Sequence, residues 1–196
     1  MSDFVTIANL TLSKIGEEDQ LRDPDQDSHA ARTIRAAWSP VRRAVLRGGK
    51  FNCSMTRAEL SAQSPTSPGY STPYPFRHRF PVPSDFLRLV EVIDPPGARA
   101  AYKFERGAVL ADTAGPLFIL YAADLVETAL WDDLLVEAFS NLLGWTVCDR
   151  ITGDRGRKAD CWSAFRAAIA KAAGVDAKED PPIETEDSSW ITARYG

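Results

Sequence analysis

The sequence predicts an α+β protein: an antiparallel helical bundle of about four helices, an inserted small antiparallel β-sheet, and an extended C-terminal arm. Both flanking regions repeat apolar residues at three- and four-residue steps, which is typical of amphipathic helices. The region between them has short alternating runs broken by turn residues, which indicates strands. We therefore assign residues 1–50 and 126–175 to the helical bundle, residues 51–125 to a β-rich insertion and residues 176–196 to the arm.

The N-terminal region is expected to form two helices. The first should span residues 4–15, where apolar side chains cluster on one side and Gly16 can end the helix. The second should span residues 29–47, with Ser28 as its N-cap and apolar residues at helical spacing. Pro40 lies within this second segment, and because proline lacks a backbone N–H we expect a kink or a division into two helices.

Helical periodicity returns in the C-terminal half of the chain. A long apolar face predicts a third helix over residues 130–151. After a short glycine-containing turn, a fourth helix is expected over residues 157–173, with Trp162 and Phe165 facing inward and Gly174 at its end. Because the connection is short, these two helices should pack as an antiparallel hairpin against the first two.

The middle of the chain is expected to form the sheet. Residues 61–75 are rich in serine and proline and have no helical period, so they are predicted to be a loop. Turn-forming residues separate the runs that follow, at residues 94–97 and 115–116. The predicted strands are residues 76–82, 88–93, 102–105, 109–111 and 117–122.

Composition indicates an ordinary globular protein with one domain, or one core plus a small appendage, since 44% of its 196 residues are hydrophobic and 26% are charged. The net charge of -4 exerts no overall attraction on nucleic acid. The N-terminus has no signal sequence, and no run approaches the roughly 18 apolar residues of a membrane span, so we expect a soluble protein made in a cytoplasm. Three widely spaced cysteines indicate buried, reduced thiols rather than a disulfide framework or a zinc site.

Charge is distributed unevenly along the chain. Acidic residues concentrate at residues 17–27 and in the C-terminal arm, whereas residues 28–58 carry seven basic residues and no acidic ones. Such complementary segments could pair between subunits, although a solvated helix face is the more common meaning of a charge run. Weak contact with DNA is a further use for the basic face, without sequence-specific recognition. The candidate inter-subunit charged face comprises Arg32, Arg35, Arg42 and Arg43.

The residue types that enzymes need are sparse in this sequence. His29 and His78 each stand without a second histidine at ligand spacing, so we expect surface or packing roles for both. Asp23, Asp25 and Asp27 resemble the start of a calcium loop, but the glycine and terminal glutamate of such a loop do not follow. No phosphate-binding glycine motif occurs. The expectation is therefore a non-enzymatic protein with no catalytic residue, no metal and no cofactor.

The C-terminal arm combines an acidic, proline-broken stretch with a terminal segment that contains aromatic residues and an arginine. Aromatic and arginine side chains supply most of the energy in many protein interfaces, so the arm is predicted to bind a partner. The alternative is that Trp190 and Tyr195 fold back onto the core of the same chain, since aromatic side chains are usually buried.

Several segments, spread over nearly the full length, resemble the head-to-tail adaptor family of tailed bacteriophages, which includes the tail tubular protein A of short-tailed phages. Singly each is weak, and the match rests on their order and spacing. These segments are ANLTLSKIG at residues 8–16, AAR at 30–32, VRRAVLR at 41–47, FNCS at 51–54, RAEL at 57–60, FPVPSDFLR at 80–88, WDDLLVEA at 131–138, ITGD at 151–154 and WITAR at 190–194.

The resemblance implies a structural virion protein, made in the bacterial cytoplasm, whose helical bundles assemble into a ring of about twelve copies. The ring would lie in the neck of the virion, join the capsid portal to the tail and let DNA pass non-specifically. The sheet would face the next tail component, a nozzle or tail-completion protein, and no membrane would be involved. The resemblance assigns portal binding to arm residues Ile183, Trp190, Ile191, Arg194 and Tyr195.

Two other functions fit parts of the sequence. One is a tail-associated polysaccharide or cell-wall hydrolase that uses carboxylates such as Glu91 and Glu105 on the sheet. Glycosidases need two carboxyl groups facing each other, and nothing in the spacing selects this pair. The other is a cellular helical module that binds a peptide or protein, which would be distinguished by being monomeric.

Overall fold

A computed structural model describes residues 3–93, 101–113 and 115–179. In this part of the chain, four α-helices and two small antiparallel sheets confirm the predicted α+β class. The predicted turn at residues 94–97 lies outside the described residues. The helices are α1 (Phe4–Ile15), α2 (His29–Gly48), α3 (Asp133–Ile151) and α4 (Arg155–Glu179).

The first two helices begin at side-chain N-caps, the second of them at the predicted Ser28. The Asp3 carboxylate accepts a hydrogen bond from the Thr6 amide at 2.8 Å, and the Ser28 hydroxyl accepts one from the Ala31 amide at 3.2 Å. Gly16 ends α1 at a φ of 76°, a left-handed conformation in which its own N–H bonds back to the last turn. The bounds predicted for α1 are confirmed.

The structure bears on the predictions for α2 and α4. Pro40 does not divide α2, which is one helix of 20 residues, and the kink stays a prediction. Both Pro40 and Ala36, whose carbonyl loses its partner, are exposed, so water can satisfy that carbonyl. Helix α4 continues past Gly174 to Glu179, because one glycine costs only about 1 kcal/mol in a helix and its alanine-rich surroundings favour helix.

The strands form two sheets instead of the single sheet predicted. Sheet order is β1-β6-β3 in one and β2-β5-β4 in the other, all antiparallel. The prediction missed β1, whose sequence MTRAEL is rich in helix-forming residues and becomes a strand by pairing with β6. The strands are β1 (Met55–Leu60), β2 (His78–Pro81), β3 (Phe86–Ile93), β4 (Tyr102–Glu105), β5 (Ala108–Ala111) and β6 (Leu117–Ala123).

The helical bundle and the pair of sheets each have their own hydrophobic core. The helices enclose the larger core, in which Trp38 packs against Phe4 and Phe139 with ring centroids 4.5 and 4.7 Å apart. The sheets enclose the smaller one, around the fully buried Phe80 and Ile119. The prediction that Trp162 faces inward is wrong, because Trp162 is 41% exposed and packs at the surface against Trp145 of α3.

At Gly144, α3 packs closely against both α4 and α1. A Cβ atom at this position would lie 3.0 Å from the Cys161 sulfur on α4 and 3.3 Å from Ile15 on α1. A larger residue would therefore push α1 and α4 away from α3.

We expect Gly144→Val to lower the free energy of unfolding by about 1–3 kcal/mol, because it overpacks this helix crossing. Urea denaturation followed by far-UV circular dichroism would measure the change. Ala170→Val, at an exposed α4 position, is the matched control and should differ little from the parent. Equal stability of the two variants would contradict the close packing at Gly144.

Candidate partner-binding surfaces

The arm residues predicted to bind the portal, Ile183, Trp190, Ile191, Arg194 and Tyr195, lie outside the described residues. The described surfaces that bear on partner binding are the arginines of α2, the loop before α2 and the outer face of α3 and α4.

The first two arginines of α2 bind the acidic loop, which we define as residues 17–27. Arg32 forms an ion pair with Asp27. Arg35 donates hydrogen bonds to the backbone carbonyls of Pro24, at 2.6 Å, and Gln26, at 3.1 Å. Acidic and basic segments that the sequence suggested for pairing between subunits therefore also contact each other within one chain.

The next two arginines hold α2 against the sheets. Arg42 donates from Nε and Nη2 to the two carboxylate oxygens of Asp124, at 2.8 and 3.1 Å, in a bidentate ion pair. The side chains are only 9% and 12% exposed. Arg43 reaches the same carboxylate at 3.5 Å but remains exposed. Arg42 consequently does not belong to an outward-facing charged surface, and this part of the prediction is wrong.

Two further arginines cross between the helices and β3. Arg47 of α2 donates to the Leu87 carbonyl at 2.7 Å, and Arg88 of β3 donates to the Gly49 carbonyl at 2.9 Å. Together with the ion pair of Arg42 and Asp124, these contacts form what we call the helix–sheet junction. Its guanidinium groups donate in fixed planar directions, so they orient the sheets relative to the bundle.

Asp85 completes the junction from the side of the sheets. Its carbonyl accepts the Asp124 amide at 2.7 Å, and its carboxylate accepts the hydroxyl of Tyr121 at 3.1 Å. Burial, reinforced by the Asp85 carboxylate, raises the pKa of Tyr121 to about 12. The phenol therefore keeps its proton, and can donate it to Asp85, to a higher pH than an ordinary tyrosine would.

The acidic loop is organised by its own backbone. Asp23 accepts from the Asp25 amide at 2.7 Å, and Glu17 accepts from the Asp19 amide at 3.2 Å. In the described part of the chain, no group of three or more His, Cys, Asp or Glu residues could hold a metal ion. Beside the loop lies an open groove of about 540 Å³, whose lining includes Glu17, Asp19, His29 and Ile151.

The two histidines occupy separate places. His29 lies at the start of α2, where its Nε2 is 2.9 Å from the Arg150 carbonyl oxygen at the end of α3. His78 lies in β2 with its ring centroid 6.4 Å from that of Phe80. In the described part of the chain, neither belongs to a group of three or more His, Cys, Asp or Glu residues that could hold a metal ion.

Sequence reasoning missed an aromatic patch on α3 and α4, which we define as Trp145, Trp162 and Phe165. The indole rings of Trp145 and Trp162 have centroids 5.2 Å apart, and Phe165 packs 5.6 Å from Trp162. Trp145 and Trp162 are 37% and 41% exposed. Helical periodicity alone does not separate an exposed tryptophan from a buried one, which is why the sequence did not reveal this patch.

The carboxylates named for a hydrolase lie on different sheets. Glu91 is on β3 of the first sheet, and Glu105 is on β4 of the second. Both are exposed, and Glu105 forms an ion pair with Lys103 at 2.6 Å. The geometry does not single them out as a pair.

All three cysteines are free thiols, as the sequence predicts. Burial raises the pKa of Cys53 from 9.0 to about 11 and also raises that of Cys161. The Cys148 sulfur, which is buried, lies 3.2 Å from the Asp154 carbonyl oxygen at the turn into α4. These environments favour unreactive thiols.

No model of a known protein family matches this chain, and a comparison with curated proteins found no match. Among the described residues, no helix has both the length and the apolar character needed to cross a membrane.

The ion pair of Arg42 and Asp124 should be the most sensitive polar contact of the fold. We expect Arg42→Met to lower the free energy of unfolding by about 3 kcal/mol or more, because it leaves a largely buried carboxylate short of its partner. The double variant Arg42→Met/Asp124→Leu should recover much of this loss. Chemical denaturation would measure both.

The control for this prediction is Arg32→Met. Its ion pair with Asp27 is exposed, with side chains 58% and 79% accessible, so the loss should be at most about 1 kcal/mol. If Arg42→Met costs no more than Arg32→Met, the helix–sheet junction does not depend on the buried pair.

Cys53 should react slowly with alkylating reagents in the native protein. A pKa of about 11 in place of 9.0 lowers the thiolate fraction at pH 8 about 100-fold. The neutral thiol contributes to stability below pH 9, and this contribution is lost as the pH rises through 11. Iodoacetamide labelling at pH 8, read for each cysteine by peptide mass spectrometry, tests this, with urea-unfolded protein as the control. Labelling of native Cys53 at the unfolded rate would contradict it.

Proposed function

We propose that this chain is a head-to-tail adaptor of a tailed bacteriophage: a structural protein whose copies form a ring, of about twelve subunits, between the capsid portal and the tail. The helical bundle makes the ring, the two sheets face the next tail component and the C-terminal arm binds the portal. DNA passes through the ring without sequence-specific contact. The protein acts through assembly and catalyses no reaction.

The observation that carries the proposal is the structural position of the segments that resemble the adaptor family. The segment at residues 41–47 supplies the arginines of the helix–sheet junction, and the segment at residues 80–88 supplies Asp85 and Arg88 on its other side. The segment at residues 131–138 begins with Trp131 and Asp132, which caps α3 by accepting from the Leu135 amide at 2.7 Å.

Residues at such positions stabilise the arrangement of the fold and do not form a reactive site. Residues that join two units and cap helices act by setting orientation, which is what a ring subunit with different partners at its two ends requires. The resemblance therefore supports a structural function for this protein. A resemblance to an enzyme family would be expected to involve a cluster of chemically active side chains.

The first test is the assembly state of the purified protein, alone and mixed with its portal protein. We expect closed rings, or a portal-dependent complex of about twelve copies, in negative-stain images and by mass photometry. A chain that stays monomeric in both conditions would overturn the proposal and favour a monomeric interaction module.

Deleting residues 180–196 tests the portal-binding role of the arm. The truncated chain should keep the unfolding free energy of the parent but fail to co-sediment with portal rings, because its proposed anchors are gone. A control for altered surface charge is full-length protein with Glu59→Lys, an exposed change on β1. Portal binding by the truncated chain would refute the arm assignment, and its unfolding would instead place Trp190 in the core.

A further inference from the structure

The aromatic patch is an exposed apolar surface of a kind that monomeric proteins usually bury. Two neighbouring tryptophans, each more than one-third exposed, present a contiguous apolar area beside solvent. Tryptophan is the residue type most enriched at the energetic centres of protein interfaces. The Lys158 ammonium lies 5.3 Å from the centre of the Trp145 ring and places a positive charge at the edge of the patch.

The helix that carries most of the patch is strongly basic. Residues 155–174 contain five basic residues and one acidic residue. Arg157 and Lys158 form ion pairs with Asp154 and Asp149. Arg155, Arg166 and Lys171 are exposed and form no ion pair with any described residue.

The acidic loop has the opposite character. It contains six acidic residues and one basic residue, and in the described part of the chain Asp27 alone among its carboxylates is in an ion pair. Glu18 and Asp19 are exposed. The groove of about 540 Å³ beside the loop provides a recess next to these carboxylates.

We infer that the aromatic patch of one copy docks on the acidic loop and its groove in the next copy. Every chain carries both surfaces and the two are unlike, so the contact is heterologous and can propagate around a ring. The indoles supply the apolar centre, while the arginines of α4 and the carboxylates of the loop supply complementary charge around it. The inference rests on the proposed ring and identifies the surfaces that build it.

The α2 arginines already form contacts within their own chain. This favours α4 over α2 as the basic surface that binds a neighbouring copy. Arg42 and Arg43 bind Asp124, and Arg32 and Arg35 bind the loop of their own chain. Arg155, Arg166 and Lys171 of α4 have no such partner among the described residues. The basic residues of α4 therefore remain available to form ion pairs with a neighbouring copy.

The experiment uses one variant for each surface. Trp162→Ala removes the centre of the patch, and Glu18→Lys/Asp19→Lys reverses the charge of the loop. Each variant should weaken self-association at least about 30-fold, as measured by sedimentation velocity over a concentration series. Thermal unfolding by circular dichroism checks that both variants remain folded.

Mixing the two variants gives the decisive result. The loop variant has an intact patch, which can bind the intact loop of the Trp162→Ala variant. The other two surfaces, the altered patch and the altered loop, cannot bind each other. We therefore expect a 1:1 heterodimer that grows no further, although each variant alone stays monomeric. A patch that packs on the same patch of its neighbour would give no heterodimer on mixing, and that result would overturn the inference.

Two controls match the changes in type. Tyr74→Ala removes an aromatic side chain that is more exposed than either tryptophan, and Glu59→Lys/Glu91→Lys reverses two exposed acidic charges on the sheets. Both should assemble like the parent. Equal losses in the controls would show that general surface chemistry, not the patch and loop, governs association.

The outcomes separate this inference from the proposed function. If the parent forms rings and Trp162→Ala forms them equally well, the docking inference fails and the adaptor function stands. If patch and loop associate as expected but the assembly does not bind portal rings, the inference stands and the adaptor function fails. A parent that is monomeric with and without the portal overturns both.

Discussion

The buried ion pair between Arg42 and Asp124 is the interaction on which the arrangement of this protein depends. It joins the middle of α2 to the residue at which the chain leaves β6 and turns back toward α3. Removing two charges from water is costly, and here two hydrogen bonds within the pair and the nearby Arg43 offset that cost. Moving the sheets relative to the helices would separate this pair.

The helix–sheet junction holds the sheets in a fixed position relative to the helices. Arg47 and Arg88 cross the boundary in opposite directions, each ending on a backbone carbonyl of the other unit. Hydrogen bonds to backbone fix position as well as contact, so the sheets cannot slide along α2 without breaking them. A protein that binds one partner through its bundle and another through its sheets benefits from such a rigid connection, since the two binding surfaces then keep a constant orientation.

The charges of the chain divide into two groups with different roles. The arginines of α2 are used within the chain, at the acidic loop and at the junction, whereas Arg155 and Arg166 of α4 and the loop carboxylates other than Asp27 form no ion pair with any described residue. Surface charges contribute little to the stability of a monomer. Their effect is larger on the rate and specificity of association, which is where the aromatic patch and the acidic loop would use them.

Much of the architecture was determined by the sequence itself, because caps, periodicity and turn residues act locally. The bounds of α1, the antiparallel strands and the α+β class follow from such signals. Strand β1 did not, since its residues favour helix and only the pairing with β6 makes them extended. Tertiary structure likewise decided that Arg42 is buried while Trp162 is exposed, because burial depends on which neighbours a helix face meets, and those neighbours lie far away along the chain.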